Sequence, residues 1–184
     1  KNLIFLFNRK YKRDEMIKSD NNLPFRLACQ FNHFSLARYL IDVCPEIDIT
    51  DMNDSALYSI CENNNIEMID WILSLYKRKN IEFDIHEIFR FCCVCGAINI
   101  LNWLYDEHKY LLKSKIIIDF DYLFTLVCCN KQLTIGIWLL NENNNYNLEQ
   151  TFNIACRHDC LDIVKWFVNT YGIKIIHNNN NWPI

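Results

Sequence analysis

Glycine and proline are nearly missing from this chain, with three of each among 184 residues. That excludes a collagen-like triple helix and a proline-rich disordered chain, and leaves few residues suited to tight turns. An excess of charge of one sign is missing as well. The formal balance is −3, so there is no general electrostatic case for nucleic acid as a partner. No apolar run approaches the roughly 18 residues needed to cross a bilayer, and no membrane partner is expected. Leu3 to Phe7 is too short for the core of a signal peptide. With no export signal visible, the expected location is intracellular.

What the chain has instead is apolar content, cysteine and a period. Hydrophobic residues make up 51% of the chain, enough to fill a continuous core, and 184 residues suit one domain. Cys29, Cys61, Cys93, Cys128 and Cys156 are followed ten positions later by Tyr39, Trp71, Trp103, Trp138 and Trp166. The cysteines stand 32, 32, 35 and 28 residues apart (61−29, 93−61, 128−93, 156−128). Periods in this range mark solenoids, in which neighbouring units supply the core that no unit can build alone.

Four residues before each cysteine stands Phe25, Leu57, Phe89, Phe124 or Phe152, an i, i+4 pair on one side of a short helix. Five residues after it comes an apolar position (Phe34, Ile66, Ile98, Leu133, Leu161), then a polar one, then an apolar one again (Leu36, Met68, Ile100, Ile135, Ile163). The aromatic follows three residues later, trailed by two bulky residues such as Leu40 and Ile41 or Phe167 and Val168. This spacing predicts a second, longer helix with a wide buried sector. Each unit is therefore a helix pair, and the fold class is all-α.

The joints repeat too, as apolar/polar/apolar triplets: Ile47-Asp48-Ile49, Phe83-Asp84-Ile85, Ile118-Asp119-Phe120, Tyr146-Asn147-Leu148 and Ile173-Lys174-Ile175. They read as short and extended. Four further residues are inserted within Thr50 to Asp54, which predicts the one fully developed protruding loop.

These units resemble ankyrin repeats, whose typical period is 33 residues with a turn, two antiparallel helices and a Thr-Pro-Leu-His-x-Ala signature. The copy from Phe152 to Val168 is nearest, with Trp166 in place of the usual leucine, and the first copy keeps Pro24 and His33. The tryptophan-bearing form, rich in Asn and Ile, is similar to ankyrin-like proteins of giant DNA viruses and amoebae. The resemblance spans roughly residues 23 to 176 and implies an ankyrin-like helix-pair solenoid of about five repeats with short extended joints, its domain taken as residues 23–177. No copy keeps the full tetrapeptide, and the family's glycine at the helix turn survives only as Gly96. Asn63-Asn64-Asn65 and Lys131-Gln132 stand where the other turns belong, and Asn tolerates positive φ better than most residues.

At the ends, the chain opens on Lys1 rather than Met, and Leu3 to Phe7 lies about one period before Tyr39. Residues 1–22 are expected to be the remnant of a preceding repeat, in a fragment or trimmed domain. The asparagine-rich residues 178–184 read as a tail.

Ten cysteines invite a chemical reading. Cys92 and Cys95 form one Cys-x-x-Cys spacing and Cys129 stands beside Cys128, but zinc needs four ligands and usually two such pairs. Five of the ten are explained by the repeat as compact apolar residues, so a zinc or redox protein built on Cys92, Cys95 and Cys129 is the least favoured reading. A disulfide framework does not suit a reducing compartment. The histidines offer no nucleophilic constellation, His33 and His158 lying between the helices of their units. No enzyme, cofactor or metal is expected. The tryptophans share one helical phase among aliphatics and read as core. Trp103→Ala is expected to cost about 3 to 5 kcal/mol.

The resemblance implies a concave face, lined by the first helices and the joints, that grips a protein partner. The core repeats while the adjacent row does not: Arg26, Tyr58, Arg90, Thr125 and Asn153 follow the openers, and Gln30, Glu62, Val94, Cys129 and Arg157 follow the cysteines. The candidate partner-binding residues are Arg26, Gln30, Asp51, Asn53, Asp54, Tyr58, Glu62, Arg90, Asn153 and Arg157. The expected function is a non-catalytic protein-interaction scaffold, monomeric by itself. The alternative is a structural component of a larger assembly such as a viral particle, which would place it in the host cytoplasm.

Overall fold

The repeated units are helix pairs. The structure, a computed structural model, describes residues 2–143 and 145–172, and the side chains of 10–109, 119–143 and 145–172. The helices are α1 (Asn2–Ile17), α2 (Ser19–Gln30), α3 (Phe34–Val43), α4 (Asp51–Glu62), α5 (Ile66–Arg78), α6 (Ile85–Cys95), α7 (Ile98–Cys129), α8 (Leu133–Glu142), α9 (Leu148–Arg157) and α10 (Leu161–Tyr171). Among the described residues there is no strand. The last triplet, His177 and the tail at 178–184 lie outside the described residues, as do the side chains of Leu3 to Phe7.

The chain divides into two compact units, the first ending at Ile88 and the second beginning at Phe89. In the first, α1 and α3 pack on α2, α4 lies along α2, and α5 closes on α4. In the second, α8 and α9 pack on α7, and α10 covers α8 and α9.

Each first helix ends the same way. Asn32, Asn64, Gly96, Lys131 and Asp159 take left-handed φ values of 56°, 51°, 80°, 57° and 50°. Each lies three residues after its repeat cysteine (29+3 through 156+3). The next amide reaches back to the helix, His33 N to Ala28 O at 2.7 Å, Gln132 N to Val127 O at 3.0 Å and Cys160 N to Ala155 O at 2.9 Å, while Asn32, Lys131 and Asp159 N reach Cys29, Cys128 and Cys156 O. These are the two bonds of a Schellman termination, which satisfies carbonyls the helix leaves open. Asparagine therefore supplies two of these turns, and lysine and aspartate one each, where a regular repeat would use glycine as at Gly96. Lys131 adopts a conformation costing about 1–2 kcal/mol for a residue with a Cβ.

The central residue of two joints, Asp84 and Asn147, caps the helix that follows, while Asp48 makes a turn just ahead of α4, whose N-cap is Thr50. Asp48 Oδ1 accepts from Thr50 N at 2.9 Å and Thr50 Oγ1 at 2.7 Å. Asp84 Oδ1 accepts from His86 N at 2.8 Å, and Asn147 Oδ1 from Gln150 N at 2.9 Å. The flanking Ile47 and Ile49 are buried, so this triplet alternates core contact with a turn-forming carboxylate. The joint at Ile118-Asp119-Phe120 is not extended. It lies inside α7, which bends where Asp119 (φ −105°, ψ 17°) and His108 (φ −125°, ψ 26°) leave helical values. No glycine or proline stands between residues 98 and 129 to break the helix.

Three further expectations need correction. Cys29, Cys61, Cys93 and Cys128 are buried, but Cys156 is exposed. Within the second unit Cys128 is covered by the next pair, its thiol meeting that of Cys160, and among the described residues no later pair lies over α9. The tryptophans are half-buried rather than core, and Tyr39 is 61% exposed. Their indoles lie across neighbouring aromatics, Trp71 5.3 Å from Phe34 and Trp138 5.1 Å from Tyr105 in edge-on contacts, with one side left to solvent. The deep core instead combines aliphatics, Ile60, Ile69, Ile72 and Leu75 in the first unit and Ile100, Leu104, Ile135 and Leu139 in the second, with the fully buried rings of Phe25, Tyr76, Phe124 and Phe167. The Thr50 to Asp54 segment, finally, is not unique. Met52, Asn53 and Asp54 form a left-handed run, and Asp20, Asn21 and Asn22 form the same run 32 residues earlier (52−20).

Candidate interaction surface

The two left-handed runs pack against each other. Asn22, only 5% exposed, turns its amide toward the Asp51 carboxylate. Arg26 Nε and Nη2 bind the carbonyl oxygens of Asn21 and Asp20, each at 2.9 Å. Asp54 accepts a hydrogen bond from the buried hydroxyl of Tyr76. Burial first, and the Asp54 carboxylate second, push the Tyr76 phenol well above its usual range. Arg26, Asp51 and Asp54 thus hold the fold as they stand, whereas Asn53 on the same turn is exposed.

The remaining candidates divide by unit. In the first, Gln30 and Glu62 are exposed and Tyr58 is half-buried. In the second, Arg90 is half-buried with Nη1 donating to Tyr122 Oη at 3.1 Å. Asn153 and the exposed Arg157 line one open groove of about 500 Å³ together with Asp121, Thr125, Glu149 and Gln150. Its floor is fixed by Gln150 Nε2, which donates to Asp121 Oδ2 at 2.5 Å. The groove offers amides, a hydroxyl, carboxylates and a guanidinium over the apolar flank of Ile154. That mixture suits a polypeptide with its own amides and charges.

A row of contacts between the turns of successive pairs escaped the sequence reading. Asn63 Nδ2 donates to Cys29 O at 3.0 Å and Gln30 O at 3.1 Å. Asn65 Nδ2 donates to Asn32 Oδ1 at 2.8 Å, and Gln132 Nε2 to Val94 O at 3.2 Å. Lys131 Nζ donates to the carbonyl oxygens of His158, at 2.6 Å, and Asp159. The one available signal was the recurrence of amide and amine side chains next to the turn position, in Asn63, Asn65, Lys131 and Gln132.

The cysteines separate by environment. Burial pushes the Cys29 thiol up to about 12 and raises Cys93 and Cys128 further, so these stay protonated and inert. Cys92 is buried, Cys95 half-buried and Cys129 exposed. Among the described residues no three His, Cys, Asp or Glu side chains come together as a metal site would need. Cys129 Sγ lies 3.2 Å from His158 Nδ1, a pairing that sequence spacing did not reveal. Among the described residues no helix is long and apolar enough to cross a membrane.

No family model matches the chain. It is similar to a protein of Acanthamoeba polyphaga mimivirus named as an ankyrin repeat protein, with 24% identity over 153 residues, covering 83% of this chain and 24% of that protein. The chain thus spans about a quarter of the length of its relative. The recurring helix pairs, their shared Schellman turns and this relative together make the chain an all-α helical repeat protein that resembles the ankyrin repeat family in the divergent form carried by a giant DNA virus.

Proposed function

We propose that this chain is a non-catalytic scaffold that binds a partner protein through the exposed row of its first helices and the adjoining joints. The observation that carries the reading is a contrast within the repeat. The turn position keeps its left-handed conformation in all five copies, while Gln30, Glu62, Asn153 and Arg157 vary and remain at the surface or in the groove. A row released from structural duty on a repeated scaffold is where selection for a partner acts. The groove is polar on most sides, which favours a peptide-bearing partner over a lipid, and the net charge of −3 disfavours nucleic acid. Residues 23–177 form the interaction domain in this reading, with 1–22 as part of a preceding repeat and 178–184 as a tail. The location is intracellular.

Partner enrichment followed by mass spectrometry, run on the chain and on a Glu62→Lys, Arg157→Glu variant, tests this. A partner retained by the parent should fall at least about tenfold with the variant while its circular dichroism is unchanged. Equal retention would remove the face from consideration.

A structural role in a larger assembly is favoured by one observation, the exposure of Phe31 (63%) and Tyr39 (61%) with Leu36 beside them in the first unit. Sedimentation at rising concentration separates the two, since a free scaffold stays monomeric and an assembly component does not.

A further inference from the structure

We propose that Cys129 and His158 form a reactive thiol site that takes small disulfides by thiol–disulfide exchange. Cys129 is the last residue of α7 and His158 the residue that ends α9, so the stacking of two successive first helices brings thiol and imidazole together. Sγ stands 3.2 Å from Nδ1, within hydrogen-bond reach for sulfur, and the thiol is exposed to solvent. The inference is independent of the scaffold reading, although Cys129 lies in the same row as Arg157.

Lys131 anchors the pair, and neighbouring thiols and charges set its surroundings. Lys131 Nζ binds the main-chain oxygen of His158 at 2.6 Å and that of Asp159, which fixes the backbone carrying the imidazole. The neighbouring free thiols of Cys128 and Cys160 are buried and hydrogen-bonded to each other, whereas Cys129 is exposed. Charge at the site is mixed: Lys131 supplies a cation whose Nζ lies 3.7 Å from Asp159 Oδ2. The proposal rests on the geometry, with the exposed Cys129 Sγ within 3.2 Å of His158 Nδ1.

The chemistry balances without another reagent. His158 Nδ1 takes the thiol proton and Cys129 Sγ attacks one sulfur of the disulfide. The disulfide bond breaks as the new S–S bond forms, and the departing sulfur leaves as a thiolate that recovers the proton from the imidazolium. Cys129 ends as a mixed disulfide and one thiol is released. A protein-bound adduct there would alter the surface next to the groove residues.

Cys156 is the internal control. It is exposed as well, but among the described residues no imidazole is bonded to it, and burial of part of its surface raises its thiol. The parent chain would be incubated with oxidised glutathione at neutral pH and each cysteine followed by peptide mass mapping. Cys129 should form the mixed disulfide at least about fivefold faster than Cys156. His158→Gln should slow Cys129 by about the same factor and leave Cys156 unchanged. Equal rates at the two cysteines in the parent, or an unchanged Cys129 rate in the variant, would overturn the proposal. If His158→Gln unfolds the second unit, Cys128 and Cys160 will be labelled too, and the parent ratio alone then decides.

Discussion

The side-chain amide of Asn63 donates to the main-chain oxygens of Cys29, at 3.0 Å, and Gln30, at 3.1 Å, joining the turn of one helix pair to the end of the first helix in the pair before it. The same amide also reaches Ser59 O at 2.9 Å. Carbonyls at a helix end have no partner within the helix. Cys29 O already accepts from Asn32 N in its own turn, and Asn63 adds a donor from the next repeat there and at Gln30 O, so the end of one unit is also where its neighbour docks.

Asn63→Ala removes three donated hydrogen bonds, taking this donor from Gln30 O and leaving Cys29 O and Ser59 O with only the main-chain amides of residues 32 and 63. The expected loss is about 1–3 kcal/mol in chemical denaturation. A change below about 0.5 kcal/mol would mean that water replaces the amide at no cost.

Gly96 has φ +80°, and a Cβ there would stand 2.3 Å from Gln132 Oε1. Gly96→Ala therefore carries a left-handed penalty of about 1–2 kcal/mol together with displacement of the amide that donates to Val94 O. In a Gln132→Ala background the clash disappears and only the backbone penalty remains. A double-mutant cycle measures the difference, and strict additivity would show that the Gln132 contact contributes nothing.

Trp138 meets Tyr105 edge-on at 5.1 Å and Phe89 at 5.9 Å while remaining half-buried. Trp138→Ala should cost about 2–4 kcal/mol, and the half-buried Trp103 a similar amount rather than the larger loss its repeat phase implied. Tyr39→Ala, at an exposed position, should cost under about 1 kcal/mol. A Tyr39 loss equal to that of Trp138 would place Tyr39 in the core, contrary to this packing.

The hydroxyl of Thr50 first, and its backbone amide second, hold the Asp48 carboxyl below its ordinary value. A carboxylate lowered on folding contributes stability that is present above its unfolded value, near about 4, and is lost as pH falls through the lower folded value. Stability should thus decline below about pH 4, and more shallowly in Asp48→Asn, as followed by denaturant titration at stepped pH. Parallel declines would remove Asp48 from the acid response.

Much of the fold was legible in the sequence because the constraint that repeats is local. An opener and a cysteine four residues apart must share a helix face, and Phe25 with Cys29 and Phe124 with Cys128 are buried together. The left-handed turn was legible as well, since Asn32, Asn64 and Gly96 are residue types that pay little for positive φ. The candidate surface was legible only as a list. Arg26, Asp51 and Asp54 look free along the chain, yet each has an internal partner supplied by a left-handed run or by Tyr76.

The sequence by itself determined the period, the helix pairs and the residues that close each turn, because these follow from spacing and backbone preference within a few residues. Only the tertiary structure decided which repeat positions are covered, as the contrast between Cys29 and Cys156 shows, and which polar side chains are engaged. Burial and hydrogen-bond partnership depend on the neighbouring pair: Asn63 finds its acceptors 33 and 34 residues away, and Cys129 finds its imidazole at a separation of 29. No local pattern encodes a contact made by stacking one unit on the next.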